Sequence, residues 1–213
     1  MTDKIEAPLY AVSRHRLATD GEGVTTLVCF QGCPLSCAYC INERSRLPNP
    51  GARVVTPEEL LTELRIDDLY FLATGGGIMF GGGEPLLRAD FIEAFAKIRP
   101  AGWKLHLESS LWVPRENLTR VIPYIDSYLI DCKDMHEAVY RAYTGQSGAL
   151  AHENLAYLLA AAGPEKVTVR LPLIPGYNDD ASRDESERLL RAMGAVKFDR
   201  FPYKIPKGKQ ALQ

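Results

Sequence analysis

The sequence predicts an α/β fold built on a parallel sheet, with its chemistry along one rim. Two observations predict this. Strand-like and helix-like segments alternate along the chain, and each cysteine-, glycine- or acid-rich motif falls directly after a strand. Val24–Phe30 (VTTLVCF) is a β-branched strand, and Thr56-Pro57-Glu58-Glu59 opens a helix with a capping residue and a proline at its first position. Ile78-Met79-Phe80 is a short apolar strand followed by a helical pattern over Ala89–Ile98. Lys104–Glu108 (KLHLE) alternates as a half-buried strand does, and Pro114–Ile122 fits a helix. Ser127–Cys132 is a strand, trailed by helical patterns over His136–Tyr143 and Ala149–Ala162. Val167–Leu171, a helix over Ala181–Met193 and a last strand over Val196–Phe201 complete six strands with helical segments between them. Right-handed crossovers make such strands parallel, and periodicity allows either an open doubly wound sheet or an incomplete barrel. In both, ligands gather at the carboxyl ends of the strands.

The chain has 213 residues, enough for one sizeable core, and no linker, repeat or low-complexity tract divides it, so a single domain over residues 1–213 is expected. A formal net charge of −2 gives no electrostatic reason to expect nucleic acid or an acidic membrane as partner. No apolar run approaches the roughly 20 residues that cross a bilayer, and the opening MTDKIEAPLYAVSRHR lacks the apolar core of a secretory signal. A cytoplasmic, reducing location is the expectation, and there clustered cysteines hold metal or do redox chemistry.

Three of the five cysteines crowd into GCPLSCAYC, as Cys33, Cys37 and Cys40. The spacing C-x3-C-x2-C supplies one short of the four ligands of a structural zinc site, with Cys29 inside a strand. A cubane iron–sulfur cluster takes about one thiolate per iron, so three cysteines would leave one iron open to a ligand. Spacing alone leaves zinc, accident and a cluster standing. A second motif, ATGGGIMFGGGEPLL, is glycine-rich without the Gly-Lys-Ser/Thr of a P-loop or a dinucleotide fingerprint.

Taken together, Cys33, Cys37 and Cys40 with an aromatic before the last, then Gly82-Gly83-Glu84-Pro85, resemble the signature of the radical S-adenosylmethionine (SAM) enzymes. Further stretches run in the order found in one branch, the glycyl radical enzyme activating enzymes: Asp20-Gly21-Glu22-Gly23, Phe30-Gln31-Gly32-Cys33, Gly75-Gly76-Gly77, Asp131-Cys132-Lys133-Asp134-Met135 and Leu173–Asp180. The resemblance implies a partial (β/α)6 barrel. It also implies a [4Fe–4S] cluster with one open iron, held by Cys33, Cys37 and Cys40, and SAM chelated to that iron.

By the same resemblance, Gly82, Gly83 and Glu84 hold the SAM amino group and the backbone of Tyr39 meets the adenine. Asp131 and Lys133 lie beside the SAM carboxylate and ribose, and Ser110, Arg170 and Lys204 occupy further SAM-contacting positions. Glu108 with Asp131 corresponds to a monovalent cation site, and Asp20 to a loop that meets the glycine-bearing segment of a partner. The implied partners are a glycyl radical enzyme and a flavodoxin- or ferredoxin-type electron donor, in an anaerobic cytoplasm.

The chain departs from the family pattern at four places. Glu108-Ser109-Ser110-Leu111 stands where relatives often have Asp-Thr-Asn-Gly, and Lys204 follows Pro202-Tyr203 in place of a histidine. Asp20–Thr25 (DGEGVT) lacks a proline and an arginine, and Ile41–Pro57 has no cysteine for a second cluster. Two rival functions share some of these features: a radical SAM enzyme acting on a small molecule or peptide, and a non-catalytic iron–sulfur electron carrier. The chain ends shortly after the last strand, from which an open barrel mouth suited to a macromolecular loop is expected; GGGEP has no purpose in a carrier.

Overall fold

A computed structural model describes residues 4–17 and 19–206. The expected single domain therefore includes short terminal stretches outside the described residues. Among the described residues eight strands form one sheet: β1 (Ala7–Leu17), β2 (Val24–Phe30), β3 (Arg53–Val55), β4 (Gly77–Gly82), β5 (Lys104–Ser109), β6 (Ser127–Asp131), β7 (Val167–Leu173) and β8 (Lys197–Pro202). Their order is β3-β1-β2-β4-β5-β6-β7-β8. From β2 to β8 all neighbours are parallel, while β1 runs antiparallel to both β2 and β3.

The six expected strands are thus the parallel set, and β1 and β3 are additions at one edge. Their signal in the sequence is weak for a physical reason. In β1 only Ala7 and Leu9 are buried, and Arg14, His15 and Arg16 interrupt any alternation, as edge strands often do to discourage further pairing. β3 is three residues long.

Among the described residues, eight α-helices complete the fold: α1 (Glu43–Arg46), α2 (Pro57–Leu64), α3 (Asp68–Thr74), α4 (Ala89–Ile98), α5 (Arg115–Val121), α6 (Glu137–Thr144), α7 (Ala149–Ala162) and α8 (Asp180–Ala192). The expected start of α2 is realised as a capping box. Glu59 N–H donates to Thr56 Oγ1 at 3.2 Å and Thr56 N–H donates to Glu59 Oε2 at 2.8 Å, with Pro57 at the first helical position.

The period of two along each strand divides the sheet into an outer and an inner face. Val28, Phe30, Ile78, Phe80, Leu105, Leu107, Tyr128, Ile130, Val167 and Val169 pack outward with the helices into the main core. Phe30, Phe80, Phe91 and Phe95 meet there at centroid distances of 5.6–5.8 Å. Leu27, Cys29, Met79 and Leu129 form a separate, smaller apolar cluster on the other face. Toward the carboxyl ends that inner face turns polar, with Glu108 beside Leu129 and, two residues beyond Leu129, Asp131 paired with Arg170. The polar end is where the site lies.

Candidate functional site

The loop after β2 turns at once, at Gly32 (φ 102°). It is then held from three sides by backbone hydrogen bonds. Gly32 N–H donates to Ser45 O at 2.6 Å and Cys33 N–H to Arg46 O at 3.2 Å, tying it to α1. On the second side Gly83 N–H donates to Phe30 O at 2.9 Å and Glu84 N–H to Gly32 O at 2.8 Å, tying it to the turn after β4. On the third, Ser36 and Ala38 donate to Thr144 O and Tyr143 O at the end of α6, at 2.8 and 2.9 Å. A segment without regular structure is thereby rigid, and Cys33, Cys37 and Cys40 line a single pocket.

The rest of that pocket comes from every strand end between β4 and β8: Gly82 and Gly83, then Glu108 with Ser110, then Asp131 with Lys133, then Arg170, then Phe201 with Tyr203. Cys29 belongs to the inner apolar cluster and Cys132 to the main core, away from the pocket lining, as their strand positions predict. Burial raises the thiol of Cys33, which Glu84 pushes further, up to about 12; burial also raises Cys37. A metal that binds there must displace those protons.

Three ion pairs organise the polar wall. Lys133 Nζ lies 2.6 Å from Asp131 Oδ2. Arg170 hydrogen-bonds through Nη1 to Glu108 Oε1, and its Nε is 3.4 Å from Asp131 Oδ1. Although buried, Asp131 is held below the usual carboxylate range: Lys133 and Arg170 outweigh desolvation. Glu108 is raised, first by burial and then by the charge of Asp131, with Arg170 opposing. The guanidinium of Arg170 also lies over the Phe201 ring, 5.3 Å from its centroid.

Several expected site residues stand elsewhere. Glu84 is 1% exposed and does not line the pocket. Each of its oxygens accepts two bonds from the protein: Oε1 from Ser109 Oγ (2.7 Å) and Leu86 N–H (3.2 Å), Oε2 from Ser110 N–H (2.9 Å) and Ser110 Oγ (2.6 Å). This geometry offers no oxygen to a ligand's amine; the carboxylate fixes the Ser109–Ser110 turn instead. Asp20 is 2% exposed and also lies away from the pocket lining. It is gripped by Arg16 through Nε and through Nη2 at 2.8 Å, with Thr25 Oγ1 at 3.2 Å.

Tyr39 is buried in an aromatic cluster with Tyr143 and Tyr177, and Tyr203 donates its hydroxyl to the Tyr39 carbonyl at 2.9 Å. Lys204 is exposed and outside the pocket, whose lining at that end is Tyr203. Sequence reasoning missed Asn42, which lines the pocket and donates to Gly82 O at 3.1 Å, together with Ser109, Phe201 and Tyr203. Cys40, two residues before Asn42, and Ser110, next to Ser109, were the available signal for the first two. Nothing in the sequence marks Phe201, because its strand reads only as alternation.

A parallel partial barrel with three thiols and a glycine turn on one rim defines a class. The chain belongs to the radical SAM superfamily, whose family model matches residues 27–189. Within it the chain groups with activating enzymes of glycyl radical enzymes. It is 31% identical over 191 residues to pyruvate formate-lyase 1-activating enzyme of Escherichia coli, covering 86% of this chain and 76% of that protein. It is 34% identical over 155 residues to (2S)-3-sulfopropanediol dehydratase activating enzyme of Klebsiella oxytoca. That match covers 70% of this chain, which spans about half (48%) of the relative's length. A solved domain of pyruvate-formate lyase-activating enzyme from Bacteroides vulgatus superposes with a TM-score of 0.53 at 25% identity, over 62% of this chain and 86% of that one.

Superfamily membership implies a [4Fe–4S] cluster and SAM, and the residues present fit both. Among the described residues no three His, Cys, Asp or Glu side chains converge as the ligands of one ion would. A cubane asks for something else, thiolates spread so that each reaches its own iron, and three thiols around one pocket meet that need. For SAM, the pocket holds two cations, and Arg170 Nε is a buried donor without a hydrogen-bond partner. A ligand carboxylate there would satisfy it. Among the described residues no helix is long and apolar enough to cross a membrane.

Proposed function

We propose that this chain is a glycyl radical enzyme activase: a single radical SAM domain that abstracts a hydrogen atom from a backbone glycine of a partner enzyme. The observation that supports it most is that Cys33, Cys37, Cys40, Gly83, Lys133 and Arg170 line one pocket, in a chain similar over 86% of its length to such an activating enzyme.

In this reading Cys33, Cys37 and Cys40 would each give one thiolate to the cluster, and the backbone hydrogen bonds of their loop hold the three thiols at one pocket. A cluster held by Cys33, Cys37 and Cys40 would supply the one-electron reduction of SAM bound beside it, and with it the power to take a hydrogen atom from the partner's glycine. The chain's own task is positioning. Lys133 and the free Nε of Arg170 attract and orient the SAM carboxylate. Gly82 and Gly83 let the ligand lie against the backbone, and Ser110, fixed by Glu84, presents its peptide edge beside them. Phe201 and Tyr203 wall the side toward β8 and exclude water from a radical that would otherwise react with any hydrogen donor.

Asp20 acts through the shape of its loop, since its carboxylate is spent on Arg16 and Thr25. The electron comes from a flavodoxin- or ferredoxin-type donor in an anaerobic cytoplasm. A recess lined by Lys133 and Arg170 next to the thiols also favours a SAM-dependent enzyme over a carrier, which needs no such cations beside its cluster.

The test is anaerobic reconstitution with iron and sulfide, reduction, and addition of SAM with each glycyl radical enzyme encoded in the same genome. Release of 5′-deoxyadenosine together with a doublet electron-paramagnetic-resonance signal on one partner is the expected result. Cleavage of SAM with turnover of a small molecule and no partner radical would replace this reading with the small-molecule one. Absence of any SAM cleavage by a fully loaded cluster would leave an electron carrier.

A further inference from the structure

The resemblance places a monovalent cation between Glu108 and Asp131, and the residues present do not fit one. We infer that Arg170 takes the place of that cation, so that this chain builds its SAM pocket on an internal guanidinium and needs no alkali metal.

A hard monovalent cation needs a shell of oxygen ligands, and here Glu108 and Asp131 are the acids of the pocket lining, at the ends of the neighbouring strands β5 and β6. Glu108 Oε1 accepts from Arg170 Nη1. Asp131 Oδ2 holds Lys133 Nζ at 2.6 Å, and Asp131 Oδ1 faces Arg170 Nε at 3.4 Å. Of the four oxygens, one, Glu108 Oε2, is left without a basic partner, and it packs toward the Gly81 backbone, where a Cβ would meet it at 3.5 Å.

Charge leads to the same place. Two carboxylates face two cations, Arg170 and Lys133, so the group is already neutral, and a further positive ion in a half-buried pocket would be repelled by both. Asp199, 3.9 Å from Arg170 Nε and half exposed, is too solvated to change that balance. The sequence makes the arrangement possible. Glu108 stands where relatives often have aspartate, and the extra methylene lets its carboxylate reach from β5 past β6 to a residue on β7. A guanidinium is also the cation best suited to such a bridge, being planar, always charged and able to donate in two directions.

Only the SAM-binding half of the test rests on the proposed function. The first measurement is thermal unfolding of the iron-free protein in potassium, sodium and choline chloride at matched ionic strength. Wild type should melt at the same temperature in all three. Arg170→Met, which leaves both acids without their bridge, should gain stability in potassium or sodium over choline, and Arg170→Lys should lose that response. The second measurement is SAM affinity of the cluster-loaded wild type by calorimetry in the same salts, with dissociation constants expected to agree within about threefold. Specific stabilisation of wild type by an alkali ion, or SAM binding weakened more than threefold in choline, overturns the inference. SAM binding absent in every salt would count against the proposed function, while the melting series would still decide the role of Arg170.

Discussion

β4 begins and ends on a run of three glycines, and the two ends teach different lessons. At its amino end are Gly75, Gly76 and Gly77; at its carboxyl end are Gly81, Gly82 and Gly83. Both runs are demanded by backbone packing. Gly75 closes α3 in the left-handed conformation (φ 68°), and a Cβ on Gly76 or Gly77 would lie 1.9 Å from the carbonyl oxygen of Val24 or Lys104. At the other end Gly82 has φ 97° and a Cβ on Gly83 would lie 2.0 Å from Gly32 O. The difference is in what the glycines press against. The first run packs against neighbouring strands and the Asp20 loop, through Gly23. The second packs against the loop that carries Cys33. A glycine run is therefore no evidence of a ligand by itself; the thiols on the far side of the contact make the second run functional. Gly83 thus supports the loop that carries Cys33 directly, and under the proposed function a side chain there would disturb both that loop and the ligand.

The sharpest way to break the comparison is at the thiols. Alanine at Cys33, Cys37 or Cys40 should abolish iron and sulfide incorporation and the visible absorption of the cluster, while Cys29→Ala and Cys132→Ala keep both. Loss of the cluster in Cys29→Ala would move a ligand into β2 and end the three-thiol reading.

Next come the glycines. Gly77→Ala and Gly83→Ala each force a backbone to move, at a cost of about 1–3 kcal/mol or more in chemical denaturation of the iron-free protein. They should part on iron content, which falls in Gly83→Ala and stays near wild type in Gly77→Ala among the molecules that fold. Equal iron content would show that the Gly83–Gly32 contact does not set the cluster loop.

Glu84→Gln probes the same end more gently. An amide keeps the size but turns one acceptor into a donor facing Ser109 or Ser110, and a buried donor without an acceptor costs about 1–3 kcal/mol. Stability should fall by that amount, with weaker SAM binding following from the displaced Ser110. An unchanged stability would mean that the carboxylate is not held as the structure shows.

How much of this was legible in the sequence depends on the kind of signal. The parallel strands were, because burial on both faces leaves short apolar runs with turn residues after each, and so was the placing of Cys33, Asp131 and Lys133 on one rim. β1 was not, since Arg14, His15 and Arg16 hide its alternation in the stretch that β3, paired with Ala7–Leu9, leaves uncovered. Side-chain direction was not legible either. Glu84 follows two glycines that line the pocket, yet its carboxylate turns inward to Ser109 and Ser110, a choice set by residues 25 and 26 positions away. Asp20 likewise looks like an exposed loop acid until Arg16, four residues earlier, closes on it.

The smallest expected effect lies at the amino end of the barrel. His106 on β5 is 2% exposed, its Nδ1 2.7 Å from Ser127 Oγ, and its ring lies against Gly21 of the Asp20 loop, where a Cβ would be 3.3 Å away. Burial lowers its pKa from the usual 6.5, with Lys104 adding to the effect and the acids Asp126, Asp20 and Glu22 opposing it. The sign follows from proton counting. Between the lowered folded value and 6.5 the unfolded chain binds a proton that the folded chain refuses, so stability falls as pH falls through that window. The slope is at most about 1.4 kcal/mol per pH unit for this one group, and His152, lowered by its own burial, adds a similar contribution. His106→Leu should flatten the acid side of the stability curve by one proton's worth while leaving cluster incorporation unaltered, because the ring is at the end of the barrel away from the thiols. A curve equally steep in the variant would mean that His106 is not held neutral in the folded protein, and the two ends of the barrel would then differ less in their electrostatics than their glycines suggest.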